Sequence, residues 1–126
     1  AVPDEAAYLV PRILEALRQV GAPSFLTVLK RFGKGNSSPL SFPMPGWTLA
    51  ADVPASVTGL YDVLDGLDKE IAEAGGRLYL AKDSRQSAKA FQMCYRTHNI
   101  FSNHSKINGC NKTFNSDLLE RIGIHD

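Results

Sequence analysis

The chain has 126 residues, 44% hydrophobic and 21% charged, with a formal net charge of +1. This length suits one domain with its own core, and the composition is that of an ordinary globular protein. So near neutrality there is no global field to draw nucleic acid or a membrane, and no apolar run approaches a membrane-spanning helix.

The N-terminus, Ala1-Val2-Pro3-Asp4-Glu5, is acidic and lacks the basic and apolar regions of a signal peptide. It starts without Met, as a processed chain or a fragment would. Residues 6–20 predict the first helix, because Leu9, Ile13, Leu14 and Leu17 recur at three- and four-residue steps. Pro11 either begins its regular part or kinks it, and Gly21 and Pro23 end it. Residues 25–32 predict a strand. Leu26, Val28, Lys30 and Phe32 share one face, which turns from apolar to basic as it leaves the core for a site or for solvent. Residues 33–39 form a loop without the spacing of a phosphate-cradling P-loop. Three prolines make residues 39–45 extended and unsuited to a central strand.

Residues 46–53 predict the next strand, with Trp47, Leu49 and Ala51 on one face and Thr48, Ala50 and Asp52 on the other. One face meets the core; the other faces either a cavity of small and polar residues or water. Ser56 is the expected cap of a second helix reaching about Ala74, with a core stripe of Val57, Leu60, Tyr61, Leu64, Leu67 and Ile71. Its acids, Asp68 among them, fall mostly on the solvated side. After Gly75-Gly76, residues 77–81 predict a short buried third strand that delivers Lys82, Asp83 and Arg85 to one end of the sheet. Residues 84–94 predict a helix with Ala88, Phe91 and Met93 inward. Residues 95–113, rich in Asn, His, Ser, Lys and Thr, are expected to be mostly irregular. A last helix spans residues 118–122, capped by Ser116 or Asp117.

This order predicts an α+β fold of ferredoxin-like shape, an antiparallel sheet with helices on one face, in a single domain over residues 1–126. Cys94, His98, His104 and Cys110 carry zinc-ligand chemistry but lack the tight paired spacing of structural sites, so no metal is expected.

Four stretches carry a family resemblance: residues 11–15, 24–33, 39–47 and 75–85. They resemble the C-terminal part of FAD-linked oxidoreductases. The nearest subgroup is the decaprenylphosphoryl-β-D-ribose 2'-oxidases, the flavin half of the epimerase that makes the arabinose donor of actinobacterial cell walls. Sugar-1,4-lactone oxidases are more distant. The resemblance implies a substrate (cap) domain whose FAD is bound mainly by a separate N-terminal domain, and the chain has no Gly-rich dinucleotide turn of its own.

By the same resemblance Lys82 is the lysine beside flavin and sugar, orienting the sugar hydroxyl or stabilising negative charge on the reduced flavin. Lys30, Phe32, Leu26, Trp47, Thr48 and Ala50 are the implied substrate-binding positions. Thr48 and Ala50 stand where the mycobacterial pattern has asparagine and cysteine, so a modifiable thiol is missing. The tail departs too, with Lys106-Ile107-Asn108-Gly109 in place of Lys-Val-Asp-Pro. The implied substrate is a polyprenylphosphoryl-ribose or aldonolactone sugar, with a reductase partner to complete an epimerisation and a cytoplasmic or membrane-peripheral location. As a fragment, the chain would be inactive alone and would expose apolar surface that a dimer could cover.

Without the resemblance, Lys82 reads as a lysine paired with Asp83 or a helix acid, and Trp47 as core. The competing function is then a stand-alone module binding an anionic small molecule through Lys30, Arg31, Lys34 and Lys82.

Overall fold

In a computed structural model, residues 1–109 and 115–124 are described. Strand β1 (Val2–Pro3) and one 3-10 turn (Asp4–Ala6) lead into helix α1 (Leu9–Gln19). Pro11 falls in the first turn of α1, where its missing N–H would have had no intrahelical partner. Leu9, Ala16 and Leu17 are buried and Ile13 half-buried, but Leu14 sits at the edge of the stripe and is exposed.

Strands β2 (Leu26–Phe32) and β3 (Gly46–Asp52) pair antiparallel with Val28 opposite Ala50, Lys30 opposite Thr48 and Arg31 opposite Trp47. β1 takes the other edge of β3, giving the order β1–β3–β2. Val2 joins Ala6, Leu9 and Ile71 in one buried cluster, against which Trp47 packs. Ala51 and Val53 pack on a second cluster of Leu17, Ala22 and Leu60. Helices therefore cover the Trp47–Ala51 face of the sheet, and the α+β class with helices on one face stands.

Helix α2 spans Leu60–Glu73. Its N-cap is Gly59, so Ser56 does not cap it: the Pro54–Thr58 turn intervenes, with Val57 N–H bonded to Pro54 O. Leu60, Leu67 and Ile71 are buried as the periodicity requires, but Tyr61 is exposed. Asp68, expected on the solvated side, is buried and receives Arg85 Nη2 at 2.8 Å. Burial raises its pKa, and the Arg85 guanidinium only partly opposes this.

The predicted third strand does not form. Residues 76–79 run extended without a ladder, and Leu80–Lys82 closes into a 3-10 turn. Among the described residues, Ala1 and Arg77 alone exchange reciprocal backbone hydrogen bonds across this segment, at 2.6 and 2.8 Å. The sheet edge a third strand would use is already held by β1. Other bonds fix the segment: Arg77 donates to Ser41 O and, at 3.0 Å, to Pro43 O, and Tyr95 O–H donates to Leu78 O at 2.7 Å.

Helix α3 (Ala88–Cys94) is capped by Ser87, whose Oγ accepts from Ala90 N–H. Residues 98–107, expected to be irregular, form helix α4 (His98–Ile107). Their Asn and Ser are weak helix formers, and Ser102 Oγ bonds back to His98 O. The helix is held at its start by the His98 ring against Phe91 and by His98 Nδ1 at Tyr95 O, and Asn108 Nδ2 donates to His104 O at its end. Helix α5 (Asp117–Arg121) is capped by Ser116, whose Oγ accepts from Leu119 N–H. Phe91 and Tyr95, with Ala72, Ile122 and Ile124, make the third cluster and join α2, α3 and α5.

Arg121 ties α5 to the Lys82–Gln86 turn, donating to Asp83 Oδ2 at 2.8 Å and to Gln86 O at 2.7 Å. Burial would raise the Asp83 pKa, but Arg121 and the N–H groups of Gln86 and Arg85 outweigh it and hold the carboxyl below its usual value. A depressed carboxylate stabilises the fold above its unfolded pKa, and the contribution is lost as pH falls through the folded value. Arg121→Ala is therefore expected to cost about 1.5–3 kcal/mol at pH 7, with the gap from the parent narrowing below about pH 4. Urea midpoints at pH 7 and pH 3 check this; a gap independent of pH counts against it.

Candidate functional site

Alternation along β2 and β3 sorts the sheet's side chains. Trp47 and Ala51 meet the helices, so Thr48 and Ala50, with their register partners Lys30 and Val28, occupy the opposite face. No helix cluster claims that face. Lys30 and Ala50 are exposed, and Val28, Phe32 and Thr48 are half-buried.

A cavity of about 680 Å³ takes in this face and also Trp47, Leu49 and Ala51 of the helix-covered side. Lys30, Phe32, Thr48 and Ala50 line it from the sheet, and Phe42 and Pro43 from the proline-rich loop. Arg77, Leu78, Tyr79 and Lys82 line it from the chain after α2. It also reaches Ile13 and Leu17 of α1 and Leu64 and Ile71 of α2. Phe32 meets Phe42 edge-on at 5.6 Å, and Phe42 meets Tyr79 at 4.9 Å, so an aromatic run links β2 to the Tyr79 segment.

The predicted site residues come together with one exception. Leu26 lies at the far end of the same face, opposite Asp52, exposed and outside the cavity. Trp47 borders the cavity but packs with Val2, Ala6, Leu9 and Ile71, under the Arg31 guanidinium 5.0 Å from its ring. It serves the core as well as the wall. Arg31 is held by Asp4, and Lys34 does not line the cavity. Of the four cations weighed for anion binding, only Lys30 and Lys82 line the cavity.

Among the described residues neither Lys30 nor Lys82 has an ion-pair partner. The pairing of Lys82 with Asp83 is excluded by Arg121, which takes Asp83 Oδ2, while the N–H groups of Arg85 and Gln86 take Oδ1. Phe42, Arg77 and Tyr79 also line the cavity. Nothing in the local pattern marked Phe42, which read as part of a proline spacer. Tyr79 differs in parity from Lys82, and only the 3-10 turn brings the two to one cavity.

Among the described residues no cluster of His, Cys, Asp and Glu could hold a metal ion. Cys94 is buried, which pushes its thiol pKa up; Cys110 lies outside the described residues.

The chain is 39% identical over 123 residues to decaprenylphosphoryl-β-D-ribose oxidase of Mycolicibacterium smegmatis, covering 98% of this chain. The chain is a relative of that oxidase. It is also 42% identical over 97 residues, 77% of its length, to the Streptomyces coelicolor protein described as an uncharacterized protein in the mprA 5' region. The chain spans about a quarter (26%) of the length of each of these relatives. No protein-family model matches it.

Proposed function

We propose that this chain forms the substrate side of an FAD-linked oxidoreductase that oxidises a hydroxyl of a polyprenylphosphoryl-linked ribose. The observation that carries the reading is that Lys30 and Lys82, both without ion-pair partners among the described residues, line one cavity beside an aromatic run. The relation to an oxidase named for such a sugar supports the substrate class.

The residues fit one side of a flavin site. Lys30 and Lys82, with Arg77 occupied by the Ser41 and Pro43 carbonyls, and the rings of Phe32, Phe42 and Tyr79 suit an anionic ligand with planar or apolar parts, while the sequence holds no glycine-rich turn for a pyrophosphate. Most of the FAD is therefore assigned to residues beyond this chain. The exposed Phe25, Leu26 and Leu29 of the sheet's β2 edge are assigned to contact with that region, or to a second copy where it is missing. The chemistry FAD supplies when bound is acceptance of a hydride from the carbinol carbon. Lys82 holds the reacting hydroxyl in place and favours negative charge near it. Lys30 pairs with the sugar's phosphate. Thr48 offers a hydroxyl to the sugar, and Ala50 leaves room beside it. A reductase would complete the epimerisation in this reading.

In the enzyme assembled with its flavin-binding region, Lys82→Ala is expected to lower kcat/KM roughly 10²–10³-fold. Lys30→Ala is expected to act mainly on KM. Turnover and affinity that survive Lys82→Ala would remove Lys82 from the mechanism and, with it, this reading of the cavity.

A further inference from the structure

Helix α4 has its polarity reversed. Its half-buried side carries His98, Ser102 and Ser105, with the His98 ring 5.6 Å from Phe91 and its Nδ1 2.8 Å from Tyr95 O. By the 3.6-residue repeat, Ile100, His104 and Ile107 share the opposite side. Ile100 is 56% and Ile107 83% exposed, and Phe101 is partly exposed at the flank. A surface helix ordinarily turns its apolar stripe to the core; here Ile100 and Ile107 stand exposed instead.

Charge singles out the same region. From Ser84 through Ser116 the sequence contains no Asp or Glu, although it carries Arg85, Lys89, Arg96, Lys106 and Lys112. Arg85 is neutralised by Asp65 and Asp68, and Lys112 lies outside the described residues; Arg96 and Lys106, at the two ends of α4, have no ion-pair partner among the described residues. Position adds a third observation. Thr97 Oγ1, at the start of α4, donates to Pro39 O at 2.7 Å, and the loop beginning at Pro39 brings Phe42 and Pro43 to the cavity wall.

We propose that α4 docks on an anionic lipid surface, with Ile100, Phe101 and Ile107 entering the headgroup boundary and Arg96 and Lys106 facing the lipid phosphates. The proposal rests on the substrate class given above. A polyprenyl chain stays in the bilayer, so the cavity must be brought to the membrane, and α4 stands beside the loop that walls it. A single short helix with few basic residues gives weak, reversible binding that depends on anionic lipid and on salt.

The test is co-sedimentation with phosphatidylcholine vesicles, with and without one-third phosphatidylglycerol. Binding is expected only with phosphatidylglycerol, falling as salt rises. Ile100→Glu/Ile107→Glu is expected to reduce the bound fraction about tenfold while thermal unfolding stays unchanged, since neither side chain is buried. Ile107→Ser, a milder change, gives the same direction should the double variant fail to fold. Three results overturn the proposal: no binding by the parent, equal binding by the variants, or conversion of a dimer to a monomer by the same substitutions, which would make this face a contact between copies. Turnover of a short-chain, water-soluble substrate in the assembled enzyme separates the two readings. That turnover is expected to survive the α4 substitutions and to fall with Lys82→Ala; failure of vesicle binding with this pattern intact overturns the docking alone, whereas turnover that survives Lys82→Ala overturns the proposed function.

Discussion

Phe91→Ala is expected to lower the unfolding free energy by about 3–5 kcal/mol, a large part of the total stability of a small domain. Phe91 is fully buried among Ala72, Cys94, Tyr95, Ile122 and Ile124. Its ring lies 5.4 Å from Tyr95 and 5.6 Å from His98. It therefore sits where α2, α3, the start of α4 and the chain after α5 meet, and truncation leaves a hole bounded by four separate segments. The consequence reaches the site, because Tyr95 holds the Leu78 carbonyl and Leu78 lines the cavity. Urea unfolding should show a lower midpoint with an unchanged slope. Phe91→Leu, which keeps most of the volume, should cost less than about 1.5 kcal/mol. A loss below 1 kcal/mol for the alanine variant would mean that the cluster collapses around the gap or does not hold these segments together.

Gly46→Ala should be almost as damaging, though only a methyl group is added. Gly46 has φ +151, and a Cβ there would lie 2.1 Å from Val2 O and 2.9 Å from Pro3 Cα. Both are backbone atoms of β1, so no side-chain rotation relieves the clash. The strand must move away or β3 must distort. Losing the burial of Val2 from its cluster costs about 1.5–3 kcal/mol, and the unfavourable backbone at residue 46 adds about 1–3 kcal/mol. Trp47 is the only tryptophan, and it packs against Val2. Its fluorescence should therefore shift to the red as β1 is displaced, in parallel with the loss of stability. An unshifted spectrum with unchanged stability would show that the β1–β3 junction is more tolerant than its geometry implies.

Much of this fold was legible from spacing. β2, β3 and α2 begin and end within a few residues of where period-two and period-3.6 patterns place them, and Ser87 and Ser116 cap helices as their chemistry favours. The site was legible to the same extent, because strand alternation alone puts Lys30 and Phe32 on one face of β2 and Thr48 and Ala50 on one face of β3. What alternation does not carry is which face the helices cover. That was decided by β1, whose Val2 sits with Ala6, Leu9 and Ile71 on the Trp47 side. A two-residue strand has no periodicity to read.

Two elements were misread because long-range partners overrode local pattern. Residues 77–81 have strand composition but became an extended segment and a 3-10 turn, since β1 already held the edge of β3 and the partners of Arg77 lie in the proline-rich loop. Residues 98–107 have loop composition but became α4, supported by Tyr95 and His98 against Phe91. By itself the sequence determined the helices other than α4, the β2–β3 pair, the residues on each strand face and the kinship with an oxidase. These follow from local geometry and from residue identity. Only the tertiary structure decided that Arg121 takes Asp83 and leaves Lys82 without an ion-pair partner among the described residues, and that Phe42 and Tyr79 line one cavity with Lys30 and Lys82. It alone set the apolar side of α4 outward. Each of these depends on contacts between segments far apart in the chain.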